Sequence, residues 1–452
     1  MGKITLEQAA GWCGGSIDPK YKAVEFYGAS NDTRTLKKGQ LFVALQGARD
    51  GHEFVPAALE KGAAAVLCAH CEGDYPAIVV ADPRTALGDI ARGERNRLNM
   101  KVVGITGSVG KSTTKEMIAC VLETTFRTGK SPANHNNDLG LPMAILALPE
   151  DTQVAVLEMG MNHFREMAYL SSIAQPDIAA IINIGTMHIE HLGTQEGILK
   201  AKLEILEGLK PEGTVILNGD DPHLWSVRDS MSRCSYFGVA NRDVVVHGRN
   251  VKLDRGFIGF SVDYRDIHFP MEIPVEGEHF VDDALAAISV GISLGVRPED
   301  IQQSLSQFQN MAGRQEILKA KDMTIIKDCY NAGPESMAAA LNVLGNQEGR
   351  KIAVLGDMLE LGVCTQAEHY RVGRIAAEKA DYLFAYGPNS PRMINGAVTG
   401  GMTGTRARAF EDRDALAAAL KRTAQPGDVL LFKGSRGMHM ELALELFLEE
   451  EK

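Results

Sequence analysis

The stretch Lys101-Val102-Val103-Gly104-Ile105-Thr106-Gly107-Ser108-Val109-Gly110-Lys111-Ser112-Thr113 decides the fold. Its first six residues read as a buried strand, and residues 112–123 carry a helical pattern. Between them, glycines let successive backbone N–H groups turn toward one anion, which then lies at the positive end of the following helix. In that arrangement Gly107, Ser108, Gly110 and Thr113 cradle phosphates, Lys111 reaches the terminal ones, and the Ser112 hydroxyl is a ligand for Mg2+. The strict G-x4-G-K-[ST] pattern would place glycine where the chain has Ile105, so this is a Thr-Gly-x-x-Gly-Lys-Ser variant.

Downstream of the loop, runs at Val154-Ala155-Val156-Leu157, Ala180-Ile181-Ile182 and Val215-Ile216-Leu217 are each followed by a polar or acidic residue, as parallel strands are where they meet a site. Residues 257–269 alternate like a peripheral antiparallel ribbon, and residues 282–294 form a helix of small residues suited to packing against a sheet. Upstream, short strands at 40–45 and 77–80 precede a charged helical stretch at 92–97. Beyond Gly313, strands at 351–356, 382–387 and 428–434 alternate with helices, the pattern of a second open parallel sheet. The expected fold is α/β with three domains. These are a smaller α/β domain over 1–99, a central P-loop-type parallel-sheet ATPase domain over 100–312 and a Rossmann-like domain over 313–452, with a hinge at Gly313.

A chain of 452 residues exceeds what one core usually spans, and 45% hydrophobic with 23% charged residues excludes disorder. The 58 acidic and 47 basic side chains leave a formal charge of −11, which disfavours nucleic acid and anionic membranes. No apolar run reaches the length of a spanning helix, and no export signal is read at the start. Neither membrane insertion nor export is therefore expected, and the location expected is cytoplasmic. Seven scattered cysteines read as reduced thiols, and Cys68-Ala69-His70-Cys71 lacks a second cysteine pair at zinc spacing.

Beside the phosphate loop, Glu158 at a strand end is placed to hold Mg2+. The segment Asn183-Ile184-Gly185-Thr186-Met187-His188-Ile189-Glu190-His191 supplies imidazoles and a carboxylate but fits no zinc-protease signature. Lys200 and Lys202 share a helical stretch, and spacing does not choose between them.

Further motifs run through all three parts. The first holds Ser30-Asn31-Asp32-Thr33-Arg34 and Asp50-Gly51-His52. The second holds Asn134-His135-Asn136-Asn137-Asp138, Glu158-Met159-Gly160-Met161-Asn162-His163 and Ala201-Lys202-Leu203-Glu204-Ile205. The third holds Asp328-Cys329-Tyr330-Asn331-Ala332-Gly333-Pro334 and Gly356-Asp357-Met358-Leu359-Glu360-Leu361-Gly362. Together they resemble the Mur ligase family over essentially the whole chain, and most of all the branch that joins D-alanyl-D-alanine to UDP-N-acetylmuramoyl tripeptide. The resemblance implies ATP as cosubstrate and two Mg2+ ions, with Lys111 and Ser112 gripping the triphosphate, Ser112 and Glu158 on the first ion and His188 on the second. It implies that Lys202 is carbamoylated by CO2; a carbamate is an oxygen-donor anion, where an ammonium would repel Mg2+. Lys111, Glu158, His188 and Lys202 are then the catalytic set. Arg314 and Asp328 are nucleotide contacts by the same resemblance, while Ser30, Asn31, Arg34, Asn137, Asn331 and Asp357 fall on the substrate side. The chain departs from the family's His-Asn-x-x-Asn with His279-Phe280-Val281-Asp282-Asp283. Asp283 keeps the nucleotide-side position but, ionised, accepts hydrogen bonds without donating one.

The implied partners are the UDP-linked tripeptide and the dipeptide, with a monomer expected. Folylpolyglutamate synthase shares the central fold, but residues 1–99 argue against it. The tripeptide-forming ligase is disfavoured because its Asp-Asn-Pro-Arg motif is absent, and a nucleotide switch because Asn-Lys-x-Asp is absent.

Overall fold

The computed structural model describes residues 2–449 apart from Ala48, Ala133 and Ala312. The strand Lys101–Thr106 lies inside a nine-stranded sheet, parallel to Ile178–Ile181 on one side and Val154–Glu158 on the other. Its neighbours come from later in the chain on both flanks, so the strand order reverses there and opens a crevice at the carboxyl ends. The sheet continues through Thr214–Asn218 and Cys234–Gly238, all parallel. It ends in an antiparallel ribbon of Val246–Asp254, Phe257–Tyr264 and Ile267–Ile273. The ribbon expected at 257–269 is thus two strands plus a preceding one; that first strand, Val-His-Gly-Arg-Asn-Val-Lys-Leu-Asp, is too polar to declare itself by alternation.

The helix His279–Ser293 is buried along nearly its whole length. Its small residues let the helix Lys111–Glu123 approach so closely that a Cβ on Gly291 would lie 2.6 Å from Val121 Cγ1. Each Val, Leu or Ile enclosed this way contributes roughly 2 kcal/mol. That packing fixes the start of Lys111–Glu123, and with it the phosphate loop, against the sheet.

A six-stranded sheet forms the carboxyl-terminal layer. Glu316–Ala320 is antiparallel to Met323–Asp328, which is followed across the sheet by parallel Val429–Lys433, Lys351–Gly356, Tyr382–Tyr386 and Ala407–Phe410. At the connection between the two large sheets Gly313 has φ +74°, a conformation that favours glycine. The amino-terminal part has a four-stranded parallel sheet. Its charged stretch at 92–97 belongs to a longer helix, Pro83–Leu98, that packs on the central layer. Arg95 on that helix is 2% exposed and donates to the Ala174 and Gln175 carbonyls and to Asp177. It pins the two layers together.

Candidate active site

Strand ends of both large sheets and the phosphate loop build the site. The loop after Lys101–Thr106 is braced by Asn183, whose Oδ1 accepts from the Ser108 and Val109 N–H groups, both at 2.9 Å, and whose Nδ2 donates to the Val109 carbonyl. Ile105 is an interior strand residue paired with Glu158 and Ala180. The strict motif's first glycine position therefore lies inside the sheet, and the turn begins at Gly107. Gly110 has φ +85°, and a Cβ there would sit 2.6 Å from Asp283 Oδ1.

Lys111 Nζ folds back to donate to the Gly107 carbonyl at 2.8 Å. Burial and the nearby Arg314 charge lower its pKa, while Glu158 opposes the shift. Ser112 Oγ donates to Glu158 Oε2 at 2.6 Å and receives Arg314 at 2.9 Å; Asn136 Nδ2 donates to Glu158 Oε1 at 2.9 Å. Burial works to raise the Glu158 carboxyl, but Lys111, Ser112, Asn136 and Arg314 together hold it below the usual carboxylate range. An ionised carboxylate beside a hydroxyl is a hard oxygen pair that fits Mg2+.

Across the crevice, His188 Nδ1 lies 2.8 Å from Glu360 Oε2 of the carboxyl-terminal layer. The two groups meet at contact distance without hydrogen-bond geometry, and an imidazole is a nitrogen donor of the kind metals take. Lys202 is 2% exposed, whereas Lys200 is exposed beside the Phe164 ring. Burial and the Lys111 charge push Lys202 well below the ordinary lysine range. An uncharged amine is the form that reacts with CO2, so the environment fits a carbamate.

A cavity of about 440 Å3 lies between the central and carboxyl-terminal layers, within the range of small-molecule sites. Ser108, Gly110, Lys111, Ser112 and Thr113 line it on one side with Asn137, Glu158, His188 and Asp283; Arg314, Asp328 and Asn331 line it on the other. Gly107 and Lys202 are not in this lining; each is tied to Lys111, Gly107 by its carbonyl and Lys202 through its charge. Ser30, Asn31 and Arg34 lie away from it on the amino-terminal part, where the Arg34 side chain is 87% exposed and paired with Asp32.

Two of the expected site residues have surroundings that the sequence does not show. Asp357 does not face the cavity: it is buried, and its Oδ2 accepts from the Asn389 N–H and Nδ2, holding a neighbouring loop. Asp283 is not ionised near neutrality: burial, and next the adjacent Asp282 charge, push its carboxyl up to about 8 against the Thr114 hydrogen bond. The neutral acid can donate as an asparagine does. Four cavity-side residues escaped the sequence reading. Asn136 and Asn183 sit inside longer motifs where nothing in the sequence singles them out. Glu335 accepts from the Thr186 N–H and Oγ1, both at 2.9 Å. Lys433 donates to Asp328 at 2.6 Å; its one signal was a lysine closing an apolar strand. The cysteine motif at 68–71 joins no metal-type cluster among the described residues.

Residues 105–291 match the Mur ligase middle domain and residues 313–436 the Mur ligase glutamate ligase domain. The UDP-N-acetylmuramoyl-tripeptide–D-alanyl-D-alanine ligase of Bacillus subtilis is 39% identical over 99% of both chains. The chain belongs to the Mur ligase family. The ligase of the same description from Escherichia coli is 34% identical over 91% of each chain. Among solved structures, MurF from Acinetobacter baumannii superposes with a TM-score of 0.91 at 33% identity, over 100% of both chains. MurF from Thermotoga maritima in complex with ADP gives 0.82 at 28% identity, over 93% of this chain and 97% of that one. This Mur ligase thus has the three-domain α/β architecture of its relatives. A folylpolyglutamate synthase from Mycobacterium tuberculosis, at 15% identity and a TM-score of 0.63, shares the fold alone.

Proposed function

We propose that this Mur ligase uses ATP to add D-alanyl-D-alanine to UDP-N-acetylmuramoyl tripeptide, making a peptidoglycan precursor in the cytoplasm. The observation that carries this reading is the cavity itself, where a phosphate loop with its acid and imidazole faces Asp328, Asn331 and Lys433 of a second sheet. Full-length similarity to ligases of that description supports the choice of substrates. Among the described residues no helix is long and apolar enough to cross a membrane. In this reading residues 1–99 receive the UDP substrate through Ser30, Asn31 and Arg34, residues 100–312 hold ATP, and residues 313–452 present the dipeptide.

A carboxylate resists amine attack because oxide is a poor leaving group. The γ-phosphoryl group therefore passes from ATP to an oxygen of the tripeptide's terminal carboxylate, and ADP departs. The dipeptide amine, having lost its ammonium proton, attacks the acyl carbon. The tetrahedral intermediate then expels inorganic phosphate and leaves an amide. Lys111 and Arg314 offset charge where phosphate and carboxylate approach. Ser112, Glu158, His188 and a carbamate on Lys202 would hold two Mg2+ ions, which supply charge neutralisation on the phosphates. Closing the domains over the cavity keeps water from the acyl phosphate. Incubating the purified protein with ATP, Mg2+ and both substrates should yield the pentapeptide nucleotide, ADP and phosphate in equal amounts by mass spectrometry. Phosphate release without either acceptor would point instead to a plain ATPase.

A further inference from the structure

Lys115 lies one turn beyond Lys111 on the helix Lys111–Glu123, yet it plays no part in the phosphate grip. It is 0% exposed, and a fully enclosed ammonium is costly unless its donors are met. Its Nζ donates to the Ser131 carbonyl at 2.7 Å and lies 3.1 Å from Glu116 Oε1. The charge is felt locally: after burial, Lys115 is the second cause that holds the neighbouring His135 below the usual imidazole range.

Ser131 is the link. It is fully buried, its N–H continues the sheet by donating to the Val156 carbonyl, and its Oγ accepts from the Glu158 N–H at 3.0 Å. Asn136 holds Glu158 Oε1, and its carbonyl accepts from the Gly160 N–H. Ser131 and Asn136 therefore both grip the end of the strand Val154–Glu158, and the Lys115 ammonium is the bolt behind Ser131. A Met or Leu would fill the same volume without desolvating a charge, so the retained cation calls for a role beyond packing.

We propose that Lys115 is a positioning residue for the metal-binding carboxylate: it holds the Ser131 carbonyl, Ser131 holds the Glu158 backbone, and Glu158 is thereby set between Ser112 and Asn136. This rests on the reading of Glu158 as a Mg2+ ligand. Partners one step behind a ligand typically contribute 10- to 100-fold in metal affinity.

The test uses the full-length protein with ADP and Mn2+ as a paramagnetic probe for Mg2+, with free Mn2+ followed by electron paramagnetic resonance. Lys115→Met should raise the Mn2+ dissociation constant about tenfold, with ADP binding in EDTA unchanged. Ser131→Ala, a smaller change that spares the fold, should weaken Mn2+ in the same sense. With the Ser131 hydroxyl already gone, Lys115→Met should weaken Mn2+ less than it does alone, since the two act in series. Unchanged Mn2+ affinity in both variants overturns the proposal, as does an equal loss of ADP binding in EDTA, which would mark a purely structural lysine. Glu158→Gln separates the two levels. If Glu158→Gln leaves Mn2+ binding intact, the ligand reading itself fails; if it weakens Mn2+ while Lys115→Met and Ser131→Ala do not, only the positioning role fails.

Discussion

Lys200 and Lys202 show how much a single side chain's surroundings decide. The two share one helix, yet only Lys202 is enclosed and lowered well below the lysine range by burial and Lys111. Lys202→Ala should fold normally and lose at least about 100-fold in ligation, with short carboxylic acids or bicarbonate restoring part of it. Absence of rescue in the folded variant would count against the carbamate. Asp283 makes the complementary point. Its carboxyl titrates at about 8 folded against 3.8 ordinarily, so between those values the folded state keeps a proton that the unfolded chain has released. Stability from this group is therefore greatest at the acid end and drains away as pH rises from 3.8 to about 8. Asp283→Asn keeps the donor and the shape but does not titrate. Its gain in Tm over the parent should grow across that window and level off above it; Asp282, raised to about 7, keeps its own share of the slope. Melting curves across pH that run parallel for the two proteins would show that Asp283 is ionised throughout.

At the scale of elements, strand ends carry the chemistry and loops aim it. Gly110 stands at φ +85° with Asp283 where its Cβ would go, so Gly110→Ala meets both a left-handed backbone penalty and a clash. A destabilisation of about 1–2 kcal/mol is expected from the backbone alone, together with weaker ATP binding by calorimetry. The strands at 101–106, 154–158 and 351–356 were legible because parallel strands buried on both faces are continuous apolar runs. Lys111, Ser112 and Glu158 were legible because they sit at fixed offsets from those runs. What escaped had no such periodicity. Arg95 reads as one charge among several on a surface helix until its carbonyl partners on residues 174 and 175 appear. Asp357 stood on the substrate side by resemblance, and only the structure shows that its Oδ2 is committed to Asn389. Pairings between residues far apart in the chain leave no local signature.

In the proposed reaction three substrates meet in one place, which calls for the contact between the central and carboxyl-terminal layers to form and release in each cycle. Two acidic side chains of the carboxyl-terminal layer take part in that contact. Glu335 accepts two hydrogen bonds from Thr186, and Glu360 meets His188. Both Glu360 and His188 have positive φ, +63° and +64°, unusual for residues other than glycine and a strain that the docking of the two loops must hold. Gly362 lies alongside, where a Cβ would fall 3.0 Å from Glu190 Cβ, so the loops are in close register. Releasing both acids in Glu335→Ala/Glu360→Ala should favour the open arrangement while leaving each layer's core intact. Small-angle scattering with a non-hydrolysable ATP analogue should then give a larger radius of gyration than the parent under the same conditions. If, as proposed, closure completes the dipeptide site and the amino-terminal part holds the UDP substrate, the KM for D-alanyl-D-alanine should rise about tenfold while that for the UDP substrate barely moves. An equal rise in both would place the two acids in general stability rather than in closure, and no rise in either would show that the layers meet without them.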